Sequence, residues 1–159
     1  MNFSGSDDCN LVLDTNPGST IGKLWIGNFK PSDDINFLKQ NKINFVVTAM
    51  PKICASKPIY AECGISQMIA DTEDTPGCNI SVYFENAYNF IENGLQNGNV
   101  LSHCGAGISR STTMALAWYI KKHKATFNQG LELFRKKRPI CTPNSGFTAQ
   151  LKEWERQCL

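Results

Sequence analysis

The sequence has no long hydrophobic run, little charge of either sign and very little histidine. No stretch of its 159 residues is long and apolar enough to cross a bilayer as a helix. The net charge is +2, from 16 basic and 14 acidic residues. That is too small to argue for nucleic acid or a membrane surface on bulk charge. Two histidines and no C-x-x-C pair leave few ligands for a structural metal, so neither a metal nor a cofactor is expected. Seven cysteines is an odd number, and their spacings suggest no disulfide framework. They read as reduced thiols in a cytoplasmic protein. In keeping with this, the first residues lack a basic-then-apolar signal pattern. Residue 2 is Asn where myristoylation needs Gly, and Cys158-Leu159 does not form a prenylation box.

What is present suits one globular domain: 42% hydrophobic and 19% charged residues in a length that fills a single core. Residues 1–18 are polar and read as an irregular lead-in, and 19–159 as the domain. Strands are expected at residues 21–27, around Phe45-Val46-Val47 (central and parallel), at 64–70 and at Val100-Leu101. Ser32 is a plausible helix N-cap, and a loop with a short extended piece near Ile59-Tyr60 should fill 51–63. Helices are expected from about Asn79 to Asn97, from Ser111 to Lys122, over 127–137 after a Thr126 cap, and after Pro143. The basic run Arg135-Lys136-Lys137-Arg138 reads as a solvated face at a helix C-terminus. The whole predicts an α/β fold: a mostly parallel sheet of about five strands flanked by helices.

The stretch that organises the chain is Val100-Leu101-Ser102-His103-Cys104-Gly105-Ala106-Gly107-Ile108-Ser109-Arg110-Ser111. An apolar strand runs into a small, Gly-rich loop and then into a helix. Strand, tight loop and helix N-terminus make an anion site, because successive backbone N–H groups point inward. Cys104 lies at the start of this loop, where the N–H dipoles favour a thiolate. Arg110 lies six positions on, and its planar fork can take two phosphate oxygens at once. A thiolate, an oxyanion cradle and a guanidinium together suit phosphoryl transfer to sulfur.

His103-Cys104, five residues, Arg110-Ser111 resembles the signature of cysteine-dependent protein phosphatases, and the filling Gly105-Ala106-Gly107-Ile108-Ser109 resembles their dual-specificity branch. The resemblance extends to Leu24-Trp25-Ile26-Gly27-Asn28 upstream and to Arg138-Pro139-Ile140 with Pro143-Asn144-Ser145-Gly146-Phe147 downstream. It implies the cysteine-phosphatase fold and a set of roles. Cys104 is the nucleophile. Residues 105–110 bind the phosphoryl oxygens. Ser111 eases the departure of sulfur, His103 orients the loop and Asn144 supports it. Asn144 could equally cap its own helix.

The leaving oxygen needs a proton donor, which the family takes from a loop about thirty residues before the cysteine. Asp74-Thr75-Pro76-Gly77 matches the family pattern without a gap, so Asp74 is favoured; Asp71 is the runner-up and Glu73 a distant third. One departure is that the preceding strand carries Gln67-Met68 where the family usually has Tyr-Leu. The resemblance also raises a redox disulfide between Cys104 and Cys54, Cys63 or Cys78. The expected substrates are phosphorylated proteins, at tyrosine and at serine or threonine, acted on by a monomer. The alternatives are a phosphoprotein-binding module with weak turnover, a phosphatase of phosphoinositide or RNA, and a sulfur-transfer or arsenate-reducing protein.

Overall fold

The computed structural model describes residues 7–159. Five strands form one sheet in the order β1-β2-β5-β3-β4: β1 Cys9–Asp14, β2 Lys23–Gly27, β3 Ile43–Ala49, β4 Ser66–Ala70 and β5 Asn99–His103. Only β1 is antiparallel; β2, β5, β3 and β4 run parallel, so their carboxyl ends share one edge. β5 lies between β2 and β3, in register through Leu24 with Val100 and Val46 with Leu101, and every one of its residues is buried.

Alternation along the strands feeds two cores. Leu24, Ile26, Val47 and Val100 face helices α5 (Phe84–Asn97), α6 (Arg110–His123), α7 (Phe127–Arg135) and α8 (Ser145–Cys158), where Phe84, Ile91, Trp118, Phe134 and Phe147 close the larger core. Trp25, Val46 and Leu101 face the other way, against Phe37 and Leu38 of the short helix α2 (Ile35–Gln40) and Tyr60 of α4 (Ile59–Glu62); a third short helix, α1 (Phe29–Ser32), precedes α2. A fourth short helix, α3, spans Lys52–Ala55. Residues 111–118 of α6 are all buried, which explains why that helix is apolar around most of its circumference.

Three local expectations are corrected. The lead-in over 1–18 is not irregular between residues 9 and 14, because β1 pairs with β2 there. A bulge at Val12 turns Val12 and Leu13 toward the same core, which hides the strand from a period-two reading. The part of that expectation covering residues 1–6 lies outside the described residues. Ser32 does not cap a helix; its hydroxyl donates to the Phe29 carbonyl, while Asn28 caps α1 and Asp34 caps α2. Residues 51–63 form the single-turn helices α3 and α4 rather than a loop with an extended piece. Each of these helices starts directly after a proline, a residue whose fixed φ suits a helix start as well as a loop.

Candidate active site

β5 ends at His103, and its carboxyl end hands the chain to the loop at the shared edge of the sheet. The Cys104 N–H donates to the Gly27 carbonyl at 3.4 Å, and the Phe29 N–H donates to the Gly105 carbonyl at 3.4 Å, which stitches the loop to the end of β2. The loop then curls back on its own sulfur. The Gly107 N–H donates to Cys104 Sγ at 3.2 Å, and the thiol lies 3.3 Å from Ser111 Oγ in the first turn of α6. Ser111 is itself fixed, since its carbonyl accepts from Ser102 Oγ at 2.8 Å. Gly107 adopts φ +71°, and a Cβ there would lie 2.6 Å from both the Asn28 nitrogen and Arg138 Nη2. Only glycine fits that corner.

Arg138 is the main residue that sequence reasoning misplaced. It is not on a solvated face: its side chain is fully buried behind the loop. Its Nε donates to the Gly107 carbonyl at 3.0 Å and its Nη1 to Asn10 Oδ1 at 2.7 Å, so β1 helps to hold it. A run of four basic residues signals solvent, and nothing local marks the one that folds inward. α7 accordingly ends at Arg135 rather than 137.

On the other side, His103 is buried, with Nε2 2.8 Å from Thr48 Oγ1 and Nδ1 3.4 Å from the Cys104 carbonyl. Burial pushes its imidazole down to about 4, so the ring is neutral near pH 7. Gln67 Nε2 donates to Thr48 Oγ1 at 2.8 Å and to the Ala55 carbonyl at 2.9 Å. A carbonyl oxygen only accepts, so the Nδ1 contact with the Cys104 carbonyl calls for the tautomer protonated at Nδ1, in which Nε2 accepts from the Thr48 hydroxyl while that hydroxyl oxygen accepts from Gln67. The Gln67-Met68 departure therefore supplies the far end of a chain of hydrogen bonds that ends at Cys104.

Arg110 opens α6 and crosses toward the acidic loop, where its Nη1 donates to the Thr72 carbonyl at 2.9 Å. A Cβ built on Gly105 would lie 3.4 Å from Arg110 Nη2, so the guanidinium lies close over the loop. Its Nε is buried with no hydrogen-bond partner among the described residues. Of the remaining loop residues, Ala106 and Ile108 are exposed and Ser109 is buried.

The C-terminal segment closes the site. The Thr142 N–H donates to the Ile108 carbonyl at 2.8 Å, and the Asn144 N–H to Ser109 Oγ at 2.9 Å. Asn144 Oδ1 accepts from the Phe147 N–H at 2.8 Å, capping α8, and its Nδ2 donates to Asp74 Oδ1 at 2.9 Å. Asn144 thus caps its helix and reaches Asp74 with its side chain, and meets the Cys104 loop through its backbone N–H. Asp71 is engaged elsewhere: its Oδ1 accepts from the Lys52 N–H at 2.9 Å, at the start of α3. Glu73 is exposed.

All seven cysteines are free. Burial pushes the Cys9 thiol up to about 12 and raises Cys141 too, so these are inert core thiols. Cys54 is exposed, and Cys63 and Cys78 are half-buried. Among the described residues no cluster of three or more His, Cys, Asp or Glu could hold a metal. No helix there is long and apolar enough to cross a membrane.

A thiol that accepts the Gly107 N–H and lies against Ser111, an arginine over the loop and a carboxylate tied to the same scaffold are the arrangement expected of a cysteine-dependent phosphatase. Comparison with known proteins makes this specific. The profile "Dual specificity phosphatase, catalytic domain" matches residues 24–157, and the chain belongs to that family. It is 35% identical over 134 residues to Dual specificity protein phosphatase 1B of Arabidopsis thaliana, covering 84% of this chain and 78% of that one. It is 34% identical over 139 residues to MAP kinase phosphatase with leucine-rich repeats protein 3 of Dictyostelium discoideum, a much longer protein of which it spans 16% while 87% of this chain is covered. The crystal structure of human tyrosine phosphatase-like serine/threonine/tyrosine-interacting protein superposes with a TM-score of 0.82 at 26% identity, over 95% of this chain and 97% of that one.

Proposed function

We propose that this protein phosphatase hydrolyses phosphotyrosine and phosphoserine or phosphothreonine in proteins through a cysteinyl-phosphate intermediate. The observation that carries the reading is the convergence on Cys104 Sγ of the Gly107 N–H and the Ser111 hydroxyl, beneath an Arg110 whose buried Nε has no partner among the described residues.

In the first step the loop amides of residues 105–110 and the Arg110 guanidinium bind the phosphoryl oxygens. The Cys104 thiolate attacks phosphorus in line; the S–P bond forms as the P–O bond to the substrate breaks. Asp74, as the carboxylic acid, gives its proton to the departing oxygen. In the second step the Asp74 carboxylate takes a proton from water, the resulting hydroxide attacks phosphorus, and the S–P bond breaks to return the thiolate. The Ser111 hydroxyl then donates to the sulfur and stabilises it as it leaves. His103, neutral and paired, positions the loop and takes no proton. Asp74 is favoured over Asp71 because Asn144 ties it to Ser109, whereas Asp71 caps α3.

The catalytic domain in this reading is 19–159 with β1 added to it. A cytoplasmic location, a signalling role and a monomeric state belong to the same reading, the location supported by the seven unpaired thiols. The five loop positions between Cys104 and Arg110 carry no lysine, which favours protein over phosphoinositide substrates.

The test is hydrolysis of p-nitrophenyl phosphate and of phosphotyrosyl and phosphothreonyl peptides, with a chelator present. Turnover that vanishes in Cys104→Ser supports the reading. The human relative above is named phosphatase-like and interacting; wild-type protein that binds phosphopeptide or vanadate without turnover would place this chain in a binding role instead.

A further inference from the structure

The segment that carries Asp74 leans on α8 at regular intervals. Asp74 Oδ1 accepts from Asn144 Nδ2 at 2.9 Å. Two residues on, the Pro76 backbone lies against Gly146, and a Cβ at Gly146 would clash with the Pro76 carbonyl oxygen and lie 2.6 Å from both the carbonyl carbon and Cα. Two residues further, Gln150 Nε2 donates to the Cys78 carbonyl at 2.9 Å, and Gln150 Oε1 accepts from the Ser81 N–H at 2.9 Å. Phe84 then meets Trp154 edge-on at 5.5 Å between ring centroids. Positions 74, 76, 78, 81 and 84 thus meet 144, 146, 150, 150 and 154 in matching order. Elsewhere the loop is anchored by the Lys52 N–H on Asp71 and by Arg110 on the Thr72 carbonyl, both on the near side of Asp74. Beyond Asp74, α8 supplies the side-chain hydrogen bonds, through Gln150.

From this alignment we infer that Gly146 and Gln150 are positioning residues for proton donation: the first two turns of α8 set where Asp74 stands relative to the leaving oxygen. Gly146 lets the loop backbone come close enough, and the Gln150 amide uses both ends to fix the register of the strip from Cys78 to Ser81. Neither residue touches the phosphoryl group. Their loss moves the acid and leaves the nucleophile where it is, because the Cys104 loop is held by Gly27, Ser111, Arg138 and Thr142. A shift of about 1 Å in a reacting group is worth up to about 100-fold in rate. The inference rests on Asp74 being the acid.

The test is the dependence of kcat/KM, which ends with departure of the leaving group and so excludes hydrolysis of the cysteinyl phosphate, on leaving-group acidity, across aryl phosphates from p-nitrophenyl phosphate to phosphotyrosine, for wild type, Gln150→Ala, Gly146→Ala, Asp74→Asn and the double variant Gln150→Ala with Asp74→Asn. Iodoacetate alkylation of Cys104 is followed in parallel. Gln150→Ala should lose about tenfold on phosphotyrosine and little on p-nitrophenyl phosphate, with alkylation unchanged. In the Asp74→Asn background it should lose nothing more. Gly146→Ala should show the same signature more strongly. An equal loss on all substrates, a changed alkylation rate, or an undiminished Gln150→Ala effect on top of Asp74→Asn overturns the inference. Failure of the Asp74 assignment is visible separately, as an Asp74→Asn single variant whose leaving-group dependence matches wild type, and it takes the inference with it.

Discussion

The loop from Cys104 to Arg110 is held from beneath by Gly27 and Ser111, from behind by Arg138 and from the far side by Thr142 and Asn144. The loop from Asp71 to Gly77 is exposed at every residue except Thr72. In the proposed mechanism both carry a group that serves the same phosphoryl transfer, yet one is fastened by buried hydrogen bonds and the other is draped across a helix. The difference follows from what each group must do. The nucleophile and its cradle have to match the phosphorus and three oxygens of a phosphoryl group closely, so their surroundings are settled before substrate arrives. The acid has one proton to deliver to an oxygen still attached to a bulky substrate, and must stand at the rim where that substrate enters.

Gly107→Ala attacks the fastened loop at its tightest corner. The positive φ and the approach to Asn28 and Arg138 predict a loss of about 3 kcal/mol or more, with activity near background. Urea denaturation and p-nitrophenyl phosphate turnover measure the two. Were the variant stable and active, the loop would be softer than its contacts imply.

Asp74→Asn attacks the draped loop. Turnover of phosphotyrosine should fall by roughly 10² to 10⁴-fold and the alkaline limb of the pH profile should flatten, with stability unchanged. Asp71→Asn should change turnover only a few-fold. The reverse result would exchange the roles of the two carboxylates without disturbing the other loop.

A pH titration of stability separates the loops again. His103 beneath the fastened loop has its ionisation pushed from 6.5 down to about 4 by burial, so the unfolded chain binds a proton there that the folded chain does not. Stability from this group is complete above about pH 6.5 and is lost as pH falls toward 4, at most roughly 3 kcal/mol. Thermal melts of wild type and His103→Gln between pH 7 and 4.5 should converge on the acid side if the histidine carries this loss.

The smallest effect expected is that of Gln67→Ala, about 1 kcal/mol from two lost hydrogen bonds, with a modest fall in kcat as Thr48 and His103 loosen. A kcat identical to wild type would show that the relay from Gln67 to the loop is structural alone.

The contrast also explains what could be read from the sequence. The fastened loop is contiguous, so its nucleophile, glycines, arginine and serine stand together in eight residues, and the parallel strands on either side of β5 announce themselves as apolar runs. What fastens it is not contiguous. Arg138 lies 31 residues after Gly107 and reads in sequence as solvent-facing charge, and its partner Asn10 lies in a segment that reads as an irregular lead-in. β1 escaped because its bulge breaks the alternation that marks a strand. Asp74 is favoured in the sequence only through the family pattern, since a solvated loop leaves no periodicity to read. The contact that supports that choice, from Asn144, spans 70 residues.

The dependence of both loops on residues 138–150 has a consequence for synthesis. A chain still growing on the ribosome has its cysteine signature, β5 and the start of α6 before it has Arg138, Thr142, Asn144, Gly146 or Gln150. Until those residues emerge, Gly107 lacks its buried partner and Asp74 lacks its seat. In the proposed mechanism the residues that complete the site are therefore translated after the nucleophile they serve, and a nascent chain that has not yet reached Arg138 carries Cys104 without the apparatus to use it.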